Sequence, residues 1–253
     1  MIRAEQIVKT FGEQTVLKGI DFTFEAGKTN LIIGRSGSGK TVLMKILVGL
    51  FQPSSGKVWY KDVEMTALDK FALRTLRMKV GMLFQGSALF DSMSVEQNVR
   101  FPLDMFTSMT ARQKLERVNY CLERVNLGGN NRKYPSELSG GMQKRVGIAR
   151  AIVLEPEYLF CDEPNSGLDP KTAIVIDELI LDITQENNIT TIINTHDMNS
   201  VMEIGNNICF LHLGHLEWSG RKEDVLASDN ENLQSFIFAS PFLQRLRAAA
   251  LKG

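Results

Sequence analysis

Eight consecutive residues, Gly34-Arg35-Ser36-Gly37-Ser38-Gly39-Lys40-Thr41, fit the pattern G-x-x-x-x-G-K-[ST]. The chemistry this spacing allows is phosphate binding. Glycines let successive backbone N–H groups turn toward one anion, and a helix opening at Lys40 adds positive potential. Lys40 reaches the β- and γ-phosphates of a nucleotide, and the Thr41 hydroxyl is a ligand for Mg²⁺. Ser36 and Ser38 lie inside the same loop. An ordinary glycine-rich turn is the competing reading. It is weakened by context, because the apolar run TNLIIG precedes the loop and the helical pattern KTVLMKILVGL follows it.

The run EYLFCDE supplies the second half of a metal-nucleotide site. Asp162, at the end of a buried strand, can bind Mg²⁺ through its water shell, and Glu163, one residue on, can polarise an attacking water. Alone, a strand ending in Asp-Glu is a weak signal, since acidic residues commonly cap strand ends in solvent. Beside the glycine-rich loop it becomes specific. The pair fits any P-loop ATPase or GTPase, but the Asn/Thr-Lys-x-Asp element of GTPase base selectivity is missing from the later part of the chain.

Leu138-Ser139-Gly140-Gly141-Met142-Gln143 precedes the helical stretch KRVGIARAI. A Ser hydroxyl and glycine N–H groups at a helix start make a second anion site on the same principle as the first. One chain has no use for two γ-phosphate sites. At these residues the sequence resembles the ABC ATPase family, whose signature is LSGGQ, and the resemblance extends over nearly the whole chain. Met142 stands where many members have Gln, a variant that occurs in the family.

The resemblance implies an ATPase that uses ATP and Mg²⁺ and works as a head-to-tail homodimer. Ser139, Gly140 and Gly141 of one copy close on the ATP held by Gly34, Ser36, Gly37, Ser38, Gly39, Lys40 and Thr41 of the other. It also implies roles for single residues. Gln85, ending KVGMLF, resembles the glutamine that joins Thr41 and Asp162 at Mg²⁺ and links the nucleophilic water to a helical subdomain. Glu163 is then the residue that activates water, with Lys40 and His196, of NTHDM, steadying the γ-phosphate. Asp169, in SGLD after Pro164, resembles the loop that crosses the dimer interface, with Asn165 in place of the usual Thr. Phe11, in KTFGEQ, resembles the aromatic residue that stacks on adenine. A hydrogen-bonded strand end for His196 and a core position for Phe11 remain the plainer alternatives.

The elements that must position these residues form an α/β pattern. To about Phe84 the chain alternates β-rich stretches, AEQIVKTF, TVLKGIDFTF and TNLIIG, with turns, and one helix in which Val42, Leu43, Ile46, Leu47 and Leu50 share a face. Helical periodicity dominates from Gln85 to Leu154. Strand and helix then alternate again through EYLFCD, a helix from Pro170 to about Glu186, ITTIIN and a hairpin in NICFLHLGHLEWSG. The fold expected is a P-loop NTPase (RecA-like) core with an N-terminal antiparallel β subdomain and an inserted α-helical signature subdomain. Residues 1–85 and 155–228 would form the nucleotide-binding core, 86–154 the helical subdomain and 229–253 a tail, all within one domain.

Composition narrows the partners. Twenty-nine basic and 29 acidic residues balance, so no global field draws the chain to nucleic acid. Three scattered cysteines without a CxxC pair suit buried thiols in a reducing compartment. The start, MIRAEQIVKTFGEQ, lacks a signal-peptide apolar stretch, and no run approaches the ~18 apolar residues of a membrane span. By the resemblance, the chain works from the cytoplasmic face of the inner membrane on permease subunits that are separate chains.

The stretch GSALFDSMSVEQNVRFPL, with LSGGMQKRVGIARAI, resembles the ATPases of Mla-type, MCE-associated phospholipid transport systems, which implies an MCE-domain lipid-binding partner. Ala88, Leu89, Phe90 and Met93 are candidate permease contacts; alternatively they fill a core, as Met82 and Met105 would. An amino-acid or ion importer would share every catalytic motif. A soluble ABC protein of translation or DNA repair needs a second cassette or a coiled-coil insertion, and neither is visible. His212 and His215, around Gly214, read as exposed turn residues. The tail from Ser235, with Pro241, Arg245, Arg247 and Lys252, is expected to pack on its own or a neighbouring subunit.

Overall fold

The computed structural model describes residues 1–238, so the expectation for the tail beyond Phe238 lies outside the described residues. The chain divides into two units, residues 1–68 with those from 192 onward, and residues 69–191.

The first unit opens with β1 (Ile2–Phe11), β2 (Gln14–Phe24), β3 (Thr29–Ile33), α1 (Lys40–Leu47), β4 (Ser55–Tyr60) and β5 (Val63–Glu64). β1 is the centre of an antiparallel sheet of order β2-β1-β4-β5, with Ile2 opposite both Phe24 and Tyr60. Ile2, Ile7, Leu17, Ile20 and Phe24 are fully buried, and the odd spacings Ile2–Ile7 and Leu17–Ile20 go with register shifts in the β1–β2 pairing, which interrupt simple alternation. β3 is different in kind. All five of its residues are buried, which suits a strand covered on both faces.

The second unit holds α2 (Lys70–Arg77), β6 (Val80–Leu83), α3 (Val95–Phe106), α4 (Ala111–Arg124), α5 (Gly140–Ile152), β7 (Tyr158–Asp162) and α6 (Pro170–Glu186). β6 and β7 run parallel, Val80 beside Tyr158 and Leu83 beside Cys161. The helix starts are written in the sequence. Ser94 with Gln97 and Thr110 with Gln113 form reciprocal capping boxes for α3 and α4. Val99, Val118, Leu122, Val146, Ile148, Phe160, Ile176 and Ile180 are fully buried.

β8 (Thr190–Asn194) leads back to the first unit, followed by α7 (Met198–Ile204), β9 (Asn207–His212), β10 (His215–Gly220), α8 (Lys222–Ala227) and α9 (Glu231–Ile237). β9 runs parallel to β3, Leu31 beside Ile208, and pairs antiparallel with β10 through the expected hairpin. An antiparallel sheet at the N-terminus and parallel strands flanked by helices make this a mixed α/β fold of the P-loop NTPase type.

Two expectations change. α1 ends at Leu47, and Leu50, read as part of its apolar face, is 50% exposed; the inward residues are Leu43, Met44, Ile46 and Leu47. Gly49, at φ 72°, takes the left-handed turn that stops the helix. Met105 is 54% exposed and Phe90 41%, so neither fills a core, whereas Leu89 and Met93 are half-buried. All three cysteines are buried free thiols, and burial pushes the Cys121 thiol up to about 11. No helix among the described residues is long and apolar enough to cross a membrane.

Asn98, fully buried on α3, ties down the segment before that helix. Its side chain accepts from the Phe90 N–H at 2.8 Å and donates to the carbonyls of Phe90, Met93 and Ser94 at 3.1 Å each. Asn98→Ala strands these buried groups, and we expect a loss of about 2–4 kcal/mol in urea unfolding. A loss within error of zero would show that the segment is held otherwise.

Candidate active site

The phosphate loop springs from β3 and ends in α1. Gly34 sits at φ 148°, where a Cβ would come within 2.3 Å of the Leu211 carbonyl oxygen. Gly39, at φ 103°, occupies the N-cap of α1, and no side chain caps the helix. A helix start without a side-chain cap is the arrangement that suits an anion. Lys40 is only 7% exposed, its Nζ donating to the carbonyls of Gly34 at 2.8 Å and Arg35 at 3.1 Å. The Ser38 hydroxyl is buried with no hydrogen-bond partner. An uncapped helix start, a buried ammonium and an orphaned hydroxyl in one loop fit a phosphate group. Asn194, at the end of β8, donates from Nδ2 to the Thr41 hydroxyl at 3.2 Å, a contact that fixes the Thr41 side chain.

Phe11 and His196 belong to the same unit. Phe11 is 45% exposed, which removes the core alternative; it lies edge-on to Phe51 at 5.8 Å, with the Lys9 ammonium 4.9 Å from its ring centroid. An accessible ring at the end of β1 is suited to stacking. His196 is exposed, two residues past the end of β8.

In the second unit β7 ends at Asp162. Glu163 follows in the left-handed region at φ 48°, a conformation that costs a non-glycine residue roughly 1–3 kcal/mol and persists only where the surroundings impose it. Gln85, two residues past β6, donates from Nε2 to Glu163 Oε2 at 2.8 Å, so two residues 78 apart in sequence meet at one carboxylate. Lys144, in α5, was not singled out by any motif. It is 5% exposed and its Nζ donates to the backbone carbonyls of Gln85 and, at 3.2 Å, Glu163. Burial holds its ammonium below the usual lysine range, against the opposing pull of nearby acidic groups including Glu163 and Asp162.

The signature residues open α5. Ser139 is its N-cap, accepting from the Met142 N–H at 3.3 Å, and Gln143 reaches back from Nε2 to the Pro135 carbonyl at 2.9 Å. Gly141 has no room for a side chain, since a Cβ would stand 2.5 Å from Thr172 Cγ2 on α6. Asp169 is the N-cap of α6, bonded to the Thr172 N–H at 3.1 Å and hydroxyl at 2.5 Å, and these bonds hold its carboxyl below the usual range. Asn165 is buried, its Nδ2 donating to Asp177 at 2.8 Å. Among the described residues no three His, Cys, Asp or Glu side chains cluster as a self-contained metal cage. Mg²⁺ needs none, being held by one or two protein oxygens together with substrate phosphates.

The family model for ABC transporters matches residues 17–166, more than half of the chain. The chain belongs to the ABC transporter family. It is similar to the probable ribonucleotide transport ATP-binding protein mkl of Mycobacterium tuberculosis, 37% identical over 239 residues, which is 93% of this chain and 66% of the relative. It is also similar to the methionine import ATP-binding protein MetN 2 of Rhodococcus jostii, 38% identical over 248 residues, 96% of this chain and 72% of the relative. Protein TRIGALACTOSYLDIACYLGLYCEROL 3, chloroplastic, of Arabidopsis thaliana is 34% identical over 256 residues, 95% of this chain and 74% of that one. This ABC cassette thus spans somewhat less than two thirds of the length of the mycobacterial relative. Among solved structures it is similar to the ATP-binding cassette MJ0796 in a dimeric post-hydrolysis state bound to ADP and Pi, at TM-score 0.80 and 30% identity, covering 88% of this chain and 99% of that one. The chain is an ABC ATPase domain, of the class that binds ATP with Mg²⁺.

Proposed function

We propose that this ABC cassette hydrolyses ATP between two copies of itself and energises phospholipid transport across a bacterial envelope through permease subunits on other chains. The observation that supports the hydrolytic part most directly is the Gln85 amide bonded to the Glu163 carboxylate at 2.8 Å. That bond orients a base whose only task is to receive a proton from water.

In this reading Phe11 stacks on the adenine, and the N–H groups from Gly34 to Thr41, with Ser36, Ser38 and Lys40, hold the phosphates. Thr41, Asp162 and Gln85 would hold Mg²⁺, which supplies charge neutralisation at the β- and γ-phosphate oxygens. Ser139, Gly140 and Gly141 of the second copy complete the γ-phosphate site, and Asp169 lies in the loop that meets that copy. Glu163 takes a proton as the water oxygen bonds to the γ-phosphorus. The bond from that phosphorus to the β-phosphate oxygen breaks, and Lys40 and His196 stabilise the charge that develops.

Two features support a lipid cargo. The stretch from Gly86 to Leu103 and the LSGGM signature resemble the Mla-type ATPases, and the Arabidopsis relative is named for a galactosyl diacylglycerol. The exposed Ala88 and Phe90 suit contact with a permease. The importer reading draws on the relative named for methionine import. Co-purification of the tagged chain from its native membranes decides between them. We expect a permease together with an MCE-domain lipid-binding protein. Recovery of a periplasmic amino-acid-binding protein instead would overturn the lipid reading.

A further inference from the structure

We propose that Lys144 is a positioning residue for hydrolysis, a buried cation through which the signature helix α5 sets the placement of Gln85 and Glu163. The proposal rests on the hydrolytic reading above. Lys144 lies five residues beyond Ser139 on the same helix, and its one ammonium bonds the backbone carbonyls of both residues of the hydrolytic pair. Neither bond uses a side-chain atom that the chemistry needs, so the Gln85 amide stays on the Glu163 carboxylate.

A buried lysine is costly unless its charge is well solvated by the protein, and a helix that only needed to pack would gain more from an apolar residue. Here the ammonium meets backbone that is itself strained. Glu163 at φ 48°, Ser87 at φ 60° and Ala88 at φ 46° are all left-handed non-glycine residues. The same helix reaches the other two, because Arg150 donates to the carbonyls of Ser87 and, at 2.8 Å, Ala88. Two cations of α5 thus hold the backbone at Gln85, Ser87, Ala88 and Glu163, which gives the strain its compensation. A shift of α5, when Ser139–Gly141 meet a second copy's nucleotide, would be passed to the carboxylate through Lys144 instead of being lost in a mobile loop.

Lys144→Met keeps the length of the stem and removes the donors, and Lys144→Arg keeps a cation with donors that can reach both carbonyls. With the full chain and Mg-ATP, we expect Lys144→Met to lower kcat about 10- to 100-fold, as a misplaced group does, while Lys144→Arg stays within about 3-fold of wild type. Equilibrium binding of ATP should change by less than about 2-fold in either variant, because no phosphate contact is touched. In the nucleotide-free chain, amide hydrogen exchange of residues 86–90 should quicken in Lys144→Met while the amides of α5 keep their protection. If Lys144→Met does not fold, Lys144→Gln, with one neutral donor, takes its place in the comparison. A kcat within about 2-fold of wild type, or a loss that Lys144→Arg fails to recover, overturns the positioning role. Absence of phosphate release from the wild type would instead strike the hydrolytic reading, and the exchange comparison alone would then decide whether Lys144 holds this backbone.

Discussion

Glu163→Gln is expected to bind Mg-ATP as the wild type does and to lose steady turnover by about 10²- to 10⁴-fold, the range a positioned general base contributes. The substitution is nearly isosteric. The Gln85 amide that donates to Glu163 Oε2 at 2.8 Å finds a carbonyl oxygen in the same place, so the orientation of the side chain survives. What disappears is the negative charge and the ability to accept a proton from water. The phosphate contacts proposed for the loop from Gly34 to Thr41 involve no atom of the Glu163 side chain, and Lys40 keeps its bond to the Gly34 carbonyl. Bound but unhydrolysed ATP should then accumulate in a closed dimer. Phosphate release and size-exclusion chromatography with and without Mg-ATP measure the two halves of this expectation. Wild-type turnover in the variant would remove Glu163 from its role, and lost turnover with a monomer at saturating ATP would count against the head-to-tail dimer.

Where a local geometry is built from adjacent residues, the sequence displays it. Gly34 to Thr41 needs only local backbone geometry and a helix start, and the left-handed Gly39 and uncapped α1 are what G-K-T dictates. The same holds for the caps at Ser94, Thr110, Ser139 and Asp169, each of which accepts from a backbone N–H three residues on. Asp169 and Ser139 show the overlap of two roles. The motifs picked them for a dimer interface, while in the single chain they start helices α6 and α5.

What was hidden depends on distant pairs. Lys144 looks like any charged residue in an amphipathic helix until its ammonium is found on carbonyls 59 and 19 residues away. Asn194 reads as the end of an apolar strand, and only the approach of Thr41, 153 residues distant, reveals its amide as a support for the side chain proposed to meet Mg²⁺. Phe11 was balanced between core and platform because an aromatic beside a turn has the same local pattern in both cases. Its exposure excludes the core position, since a ring open to solvent on β1 is not a core residue. Leu50 failed for the opposite reason: its helical spacing was right, but Gly49 ended the helix first.

Lys40→Ala should differ from Glu163→Gln by weakening binding and turnover together. Lys40 is buried in the loop, its ammonium donating to the Gly34 and Arg35 carbonyls, so the cation is held beside the proposed phosphate site. Each charge-assisted hydrogen bond it makes to phosphate is worth about 1.5–3 kcal/mol, which converts to a rise in the dissociation constant of ATP of roughly 10- to 150-fold. Turnover falls further, because the same cation faces charge that grows in the transition state. Isothermal titration with ATP and phosphate release at saturating nucleotide separate the two losses. Thermal stability is not expected to follow them. Removing the buried ammonium lifts its desolvation cost at the same time as it strands two carbonyls, and these effects oppose one another. A variant that melts near the wild type yet binds ATP weakly would therefore locate the defect in the phosphate site and not in the fold. ATP affinity equal to wild type would instead show that the loop backbone alone holds the phosphates.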